Sequence, residues 1–365
     1  MNYKKFILTY LAISLAFTTA VFATDTASTP SIQANPNSEA KIPQALGIGF
    51  EAYRKALDDL FFLSLKTNQN TNFGINEIIV GLNGKIKTNP NDQESLAYLG
   101  HIYRILGQPR EANRFYQKAL ALGADKFQLN SFSGVMLLQL QDFEKSIEAL
   151  SHSLELNPND SDIWILYGRA LLYLQDFNNA GLSYEKALSL NPASEEAVMT
   201  LVTIYERQKK YDDAIRVLNT FLKAIPDHKM AKFHMGVVYL AKKQPELAVQ
   251  NWEELYYAGV REPQFLFNLS IAYLESGESK KSEKILEHLQ FFFPRNADLL
   301  FLTAEANRQM NRLDDAARNY RKAIAEDASL MSARIGLAQV LQEMGKSKES
   351  QKILKKTAEY FKSKS

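Results

Sequence analysis

The sequence predicts an all-α protein built from repeated helical hairpins. Three observations carry this. In the stretch Ser161–Ser194, Trp164, Tyr167, Gly168 and Leu171 fall at spacings 0, 3, 4 and 7, and Phe177, Ala180, Tyr184 and Leu188 follow three or four apart, so each set lies on one helical face. The same 34-residue pattern runs through eight consecutive blocks, from Gln93 to Lys364, with no insertion. Small residues return at block position 8 (Gly100, Gly134, Gly168, Gly236, Ser270, Ala304, Ala338, with Val202 departing) and at position 20 (Ala112, Ser146, Ala180, Ala214, Ala248, Ser282, Ala316, Ser350). Two helices of a pair touch where only a small side chain fits, and neither buries its apolar face without neighbouring copies.

Taken in order, the chain opens on Met1–Ala23, where Lys4 and Lys5 precede an apolar run and Val21-Phe22-Ala23 offers a cleavage site. This is the anatomy of a secretory signal peptide. The alternative is an uncleaved membrane anchor over residues 6–23. The chain holds no cysteine, so a lipid-anchored form and a disulfide framework are both excluded. Without Lys4 and Lys5 the mature chain carries 41 basic and 41 acidic side chains, and a global basic field for nucleic acid is absent.

Residues 24–43, with three prolines and no periodicity, read as a linker. Residues 44–92 read as a degenerate hairpin capping the array. Its helices are expected over Ala45–Lys66 and Ile75–Lys87, the second weakened by Gly81 and Gly84. Residues 93–364 are the eight regular blocks. Within them Gly107, Gly277 and Gly345 end first helices, Asp142 and Asp176 are expected to cap second helices, and Pro109, Pro245 and Pro263 fall in first turns. The closing helix is expected to turn Ile353, Leu354 and Ala358 inward and to solvate Lys352, Lys355, Lys356 and Glu359. Gly345–Ser365 holds seven lysines against two glutamates, either a basic docking tail or a soluble helix end.

The block pattern resembles the tetratricopeptide repeat (TPR) family over Gln93–Lys364, about three quarters of the chain. Departures are local: Asn307 replaces an apolar residue of the first helix, and Ala124, Val260 and Ala328 replace the closing proline. The resemblance implies a right-handed α-solenoid that binds protein or peptide ligands on a concave face without catalysis. It implies a groove along first-helix positions 2, 5, 6, 9, 12 and 13. On this sequence those positions include Arg104, Phe132, Leu138, Arg169, Tyr173, Arg207, Phe233, Val237, Phe267, Asn268, Ile271, Phe301 and Arg308. Phe233, Phe267 and Phe301 share position 5 of three consecutive blocks and would form an aromatic stripe. Packing against a neighbouring helix is an equal reading of position 5, and solvated surface charge is an alternative for the arginines. The family's carboxylate clamp for chaperone tails is missing, since positions 5 and 9 of the first three blocks are Ala97/His101, Ser131/Val135 and Ile165/Arg169.

No catalytic arrangement emerges. His101, His152, His228, His234 and His288 share no metal-binding spacing, and neither a nucleophile elbow nor a phosphate loop occurs. No cofactor is expected. The function expected is a protein- or peptide-binding scaffold of the bacterial envelope, most simply periplasmic, acting as an adaptor in an assembly or export system. A holdase for apolar clients and a secreted protein with a host partner are the alternatives. Membrane contact is expected only through an uncleaved leader or a partner.

Overall fold

A computed structural model describes residues 71–124 and 126–362. The expected leader, linker and first capping helix lie outside the described residues. Seventeen α-helices are present among those described, and no strand. In chain order they are α1 Thr71–Thr88, α2 Gln93–Ile105, α3 Pro109–Ala121, α4 Lys126–Gln139, α5 Phe143–Leu156, α6 Ser161–Tyr173, α7 Phe177–Leu190, α8 Glu195–Arg207 and α9 Tyr211–Ala224. They continue as α10 Lys229–Ala241, α11 Pro245–Tyr257, α12 Pro263–Glu275, α13 Ser279–Phe292, α14 Ala297–Gln309, α15 Leu313–Glu326, α16 Met331–Glu343 and α17 Ser347–Lys362. From α2 onward each 34-residue block is one antiparallel hairpin. Two compact bodies are distinguished, one ending at Ile204 and one starting at Tyr205.

In the N-terminal body, Leu99, Tyr116, Phe132, Met136 and Leu150 form a continuous core, and Ile79, Leu82 and Ile86 of α1 pack against it. In the C-terminal body the core runs through Trp252, Leu269, Leu286, Phe301, Tyr320 and Leu337. Each such side chain contributes about 1.5–3 kcal/mol by leaving water.

The small residues do what their spacing predicts. A Cβ at Gly168 would lie 2.9 Å from the Tyr184 ring, and one at Gly134 would meet Leu150 at 2.5 Å. Where position 20 is serine, its hydroxyl donates to the position-8 carbonyl of the facing helix: Ser146 to Gly134 (2.8 Å), Ser282 to Ser270 (2.9 Å) and Ser350 to Ala338 (2.7 Å).

The turn between paired helices is more uniform than the sequence suggests. Position 15 has positive φ in all eight blocks, glycine at 107, 277 and 345 but Gln141, Gln175, Lys209, Lys243 and Asn311 elsewhere, at φ 57–61°. In every block the next N–H bonds back five residues, as from Gln108 to the Tyr103 carbonyl (2.8 Å) and from Lys346 to Leu341 (2.7 Å). This is the Schellman closure that ends a helix through one left-handed residue. Asp176 caps α7 by accepting from the Asn179 N–H (3.1 Å). Asp142 does not cap α5; its carboxylate pairs with Lys145 at 2.7 Å instead.

The closing helix departs from expectation. Ile353 packs into the core, but Leu354 and Ala358 are exposed, because no described residue packs over that flank of α17.

These contacts predict that Gly236→Ala, which drives a Cβ into the Trp252 indole, lowers stability by about 1–3 kcal/mol. Gly81→Ala, with open space around its Cβ, is neutral or stabilises by up to about 1 kcal/mol. Urea unfolding of the two variants beside the parent checks both signs.

Candidate protein-interaction surface

The first helices carry the residues expected to line a groove, and packing divides them. Phe132, Val237, Phe267, Asn268, Ile271 and Phe301 are buried. The expected open stripe of Phe233, Phe267 and Phe301 is therefore core: Phe301 is 1% exposed and packs 6.0 Å from Tyr320. Phe233, half-buried, stacks 5.9 Å from Trp252 and lies 6.5 Å from Phe265 of the next hairpin. Position 5 sits where a first helix meets its neighbours, so the neighbours take the ring that a ligand would have used. Tyr173 and Arg207 are exposed, and Leu138, Arg104, Arg169 and Arg308 are partly buried. Tyr173 stacks on Phe143 at 4.5 Å.

The partly buried arginines belong to polar clusters built around position 24. That position alternates down the array: Tyr116, Leu150, Tyr184, Leu218, Trp252, Leu286, Tyr320, Leu354. Where it is tyrosine, position 9 of the same block is ionisable. His101 Nδ1 lies 3.0 Å from the Tyr116 hydroxyl, with the Arg104 guanidinium 4.8 Å above the Phe132 ring. Arg169 pairs with Glu196 beside Tyr184. The Tyr320 hydroxyl donates to buried Glu305, which Arg308 neutralises at 3.0 Å while reaching Glu343 at 3.4 Å. Burial, and then the carboxylate of Glu305, holds the Tyr320 hydroxyl protonated far above the usual range. In the Leu150 and Leu286 blocks position 9 is Val135 and Ile271 and the contact is apolar, while the Leu218 and Leu354 blocks carry Thr203 and Gln339, which are not ionisable. Trp252 satisfies its ring nitrogen on the Phe233 carbonyl at 2.9 Å. These groups support packing, since a buried charge requires a partner. Asn268 accepts from Gln264 (3.3 Å), while its Nδ2 has no partner among the described residues. Among the described residues no three His, Asp or Glu side chains converge to hold a metal ion.

The most exposed aromatic surface lies elsewhere. Tyr257 (74% exposed), Phe291 (82%), Phe292 (59%) and Phe293 (45%) stand at the ends of α11 and α13. Tyr257 and Phe291 occupy position 29 of consecutive blocks, so they share one outer row of the C-terminal body. Phe291 and Phe292 meet edge to face at 5.2 Å, and His288 abuts Phe292 at 5.3 Å. Beside them Arg261 stacks 4.1 Å above Tyr256 and donates to the Tyr256 and Val260 carbonyls. Reasoning along the first helices misses this edge. Reading position 29 down the blocks reveals it, because Glu155, Ser189 and Lys223 stand there in other hairpins.

One buried group has a pH consequence. Burial, and secondarily the charge of Arg104, pushes the His101 imidazole down to about 4. The unfolded chain takes up a proton below about 6.5 while folded His101 stays neutral, so stability is complete above pH 6.5 and falls as pH drops toward 4. The loss expected across that window is up to about 3 kcal/mol. His101→Gln flattens the parent's slope there, as urea midpoints at pH 7 and pH 5 will read.

Comparison with known proteins agrees with this architecture. A family model described as the cytochrome c-type biogenesis protein H TPR domain matches residues 136–258, and two tetratricopeptide repeat models match residues 267–330 and 94–125. The BBSome complex member BBS4 of Mus musculus is 28% identical over 268 residues, 73% of this chain and 51% of the relative. The chain thus spans about half the length of the curated relatives it matches. Similar solved structures include YrrB, a TPR protein with an unusual peptide-binding site, at 19% identity and TM-score 0.46, covering 51% of this chain and 96% of YrrB. A TPR protein from Parabacteroides merdae is similar at 16% identity and TM-score 0.42, covering 80% of this chain and 99% of that one. With eight hairpins in one register, small residues at both helix crossings and three matching repeat models, the chain belongs to the tetratricopeptide repeat family.

Proposed function

We propose that this protein is a non-catalytic scaffold that docks a protein partner, as an adaptor in an assembly or export system of the bacterial envelope. The observation that carries the docking surface is the row Tyr257, Phe291, Phe292 and Phe293, whose rings stand in water on one edge. A contiguous exposed aromatic patch is costly to keep solvated and marks an interaction site. The curated relatives are by name members of a complex, which supports the scaffold reading. The partly buried first-helix residues Arg169 and Arg308, held by Glu196 and Glu343 of other helices, favour this edge over the groove. The envelope setting rests on the Lys4-Lys5 pair, the apolar run and Ala23.

A holdase for apolar client segments would use the same four rings and differs in what it captures. The test is affinity capture from envelope extract with the parent and a Tyr257→Ser/Phe291→Ser/Phe292→Ser variant. All three side chains are exposed, so the variant is expected to keep its helicity. Capture of one or two defined proteins, lost in the variant, is the expected result. Capture of many denatured clients favours the holdase, and full retention by the variant removes this edge from the function. N-terminal sequencing of the envelope-fraction protein is expected to begin at Thr24; an unprocessed chain recovered only from cytosol would overturn the envelope role.

A further inference from the structure

We propose that the ligand of the aromatic edge is a short, uncharged, proline-rich segment of the partner, held in the extended polyproline conformation. The inference rests on the reading that this edge docks a protein partner, and adds what kind of segment it takes. The observation is the angle between the rings. Tyr256 and Tyr257 meet at 5.7 Å and 72°, and Phe291 and Phe292 at 5.2 Å and 88°. His288 stands against Phe292 at 5.3 Å and 72°. Each near-perpendicular pair forms a notch with two flat walls. The two notches belong to consecutive hairpins, at the ends of α11 and α13. A proline ring is compact and apolar and has no rotamers to freeze, so it fills such a notch without side-chain entropy cost.

Other ways of recognising a segment do not fit this edge. Adding a strand needs a sheet edge, and no strand occurs among the described residues. Seating an amphipathic helix needs a groove with apolar walls on both sides, whereas these rings stand in a row on one outer edge. An acidic or phosphorylated segment needs uncommitted cations. Here Arg295 holds Glu326 at 3.0 and 3.1 Å, and Arg261 lies 4.1 Å over Tyr256 while donating to the Tyr256 and Val260 carbonyls. With both border arginines engaged, the edge complements a ligand that carries no charge. Area separates a short segment from a second copy of the chain. The four rings, about 150–250 Å² each when fully open, present roughly 400–650 Å² at their exposures. A stable dimer buries about 800 Å² per partner. A polyproline segment needs less, because it is extended before it binds and loses little entropy. Its carbonyls carry no internal hydrogen bonds. The edge has donors for them: the Tyr257 hydroxyl and the His288 ring have no hydrogen-bond partner among the described residues.

The test uses a panel of synthetic uncharged peptides of about twelve residues, four turns of polyproline helix, each with two prolines at varied spacing. A matched panel carries alanine at every proline. Binding to the full chain is read by fluorescence anisotropy at low and physiological salt. At least one proline peptide is expected to bind about tenfold or more tighter than its alanine match. Its affinity is expected to be the same at both salts, since no charge is used. Tyr257→Leu/Phe291→Leu/Phe292→Leu keeps an apolar surface and removes the flat walls. It is expected to weaken that peptide by about tenfold or more, with unchanged circular dichroism, because all three side chains are exposed. Binding by no panel member, equal binding of proline and alanine peptides, or full affinity in the leucine variant would each overturn the proposal. A parent dimer that Tyr257→Ser/Phe291→Ser/Phe292→Ser dissolves would give the edge to a second copy and overturn it too. Ring-dependent retention on phosphatidylcholine vesicles, by a chain that ignores the panel, would give the edge to a membrane instead. The two readings of the edge fail separately. If the panel fails while the serine variant still loses its captured partner, only the proline inference falls. If capture also survives in that variant, the edge itself is wrong.

Discussion

Every hairpin in this protein depends on how closely two helices can approach where positions 8 and 20 meet. The backbones come within side-chain contact there only because one partner is nearly absent, as Gly134 is under Leu150 and Gly168 under Tyr184. That approach lets the large side chain at position 24 lie across the small one and seal the interface. Serine at position 20 strengthens the same crossing by donating to the backbone opposite, as Ser146 and Ser282 do, so a polar residue is accommodated without an unpaired hydroxyl. The second constraint is the left-handed residue at position 15, which turns the chain back at a fixed angle. It holds even where glutamine, lysine or asparagine replaces glycine, so tertiary packing outweighs about 1–2 kcal/mol of local preference.

The alternation at position 24 explains why the array contains buried charge at all. A tyrosine reaches past the small residue of its partner helix and brings its hydroxyl to position 9, where it needs a polar companion. His101 and Glu305 provide it directly, and Arg169 stands there beside Tyr184 with Glu196 as its counterion. A leucine at the same place requires none, and position 9 is then uncharged: Val135, Thr203, Ile271 and Gln339. Two of the arginines that look like ligand contacts in a linear reading, Arg169 and Arg308, are thus held by Glu196, Glu305 and Glu343. Removing either member of such a pair leaves an uncompensated charge, and the geometry is therefore specific even where its net energy is small.

Surface and core are assigned by what stands next to a residue. Phe301 and Phe291 are chemically identical, yet one is 1% and the other 82% exposed. Phe301 sits on a first helix, enclosed by its own second helix and by the adjoining hairpins. Phe291 sits at the outer end of a second helix, where the stack supplies no further layer. The same logic separates Leu354 from its seven buried counterparts. Both exposed sets are products of an architecture in which each hairpin covers its neighbour along one direction only.

The sequence by itself determined the all-α class, the 34-residue register, the paired helices and the small residues at their crossings, because these follow from periodicity and side-chain size along the chain. It also identified the prolines of the first turns and Asp176 as a cap, which are local effects. The left-handed turn at Gln141, Gln175, Lys209, Lys243 and Asn311 was not legible, since no glycine marks it. Nor was the failure of Asp142 to cap, where Lys145 competes for the carboxylate. Periodicity shows that Phe233, Phe267 and Phe301 share a face, but not which neighbour covers that face. Only the tertiary structure decided that those rings are packed, that Tyr257 and Phe291–Phe293 are not, and that Leu354 stands open. Burial is a property of three-dimensional neighbours, and a one-dimensional pattern constrains which side chains point together without saying what they meet.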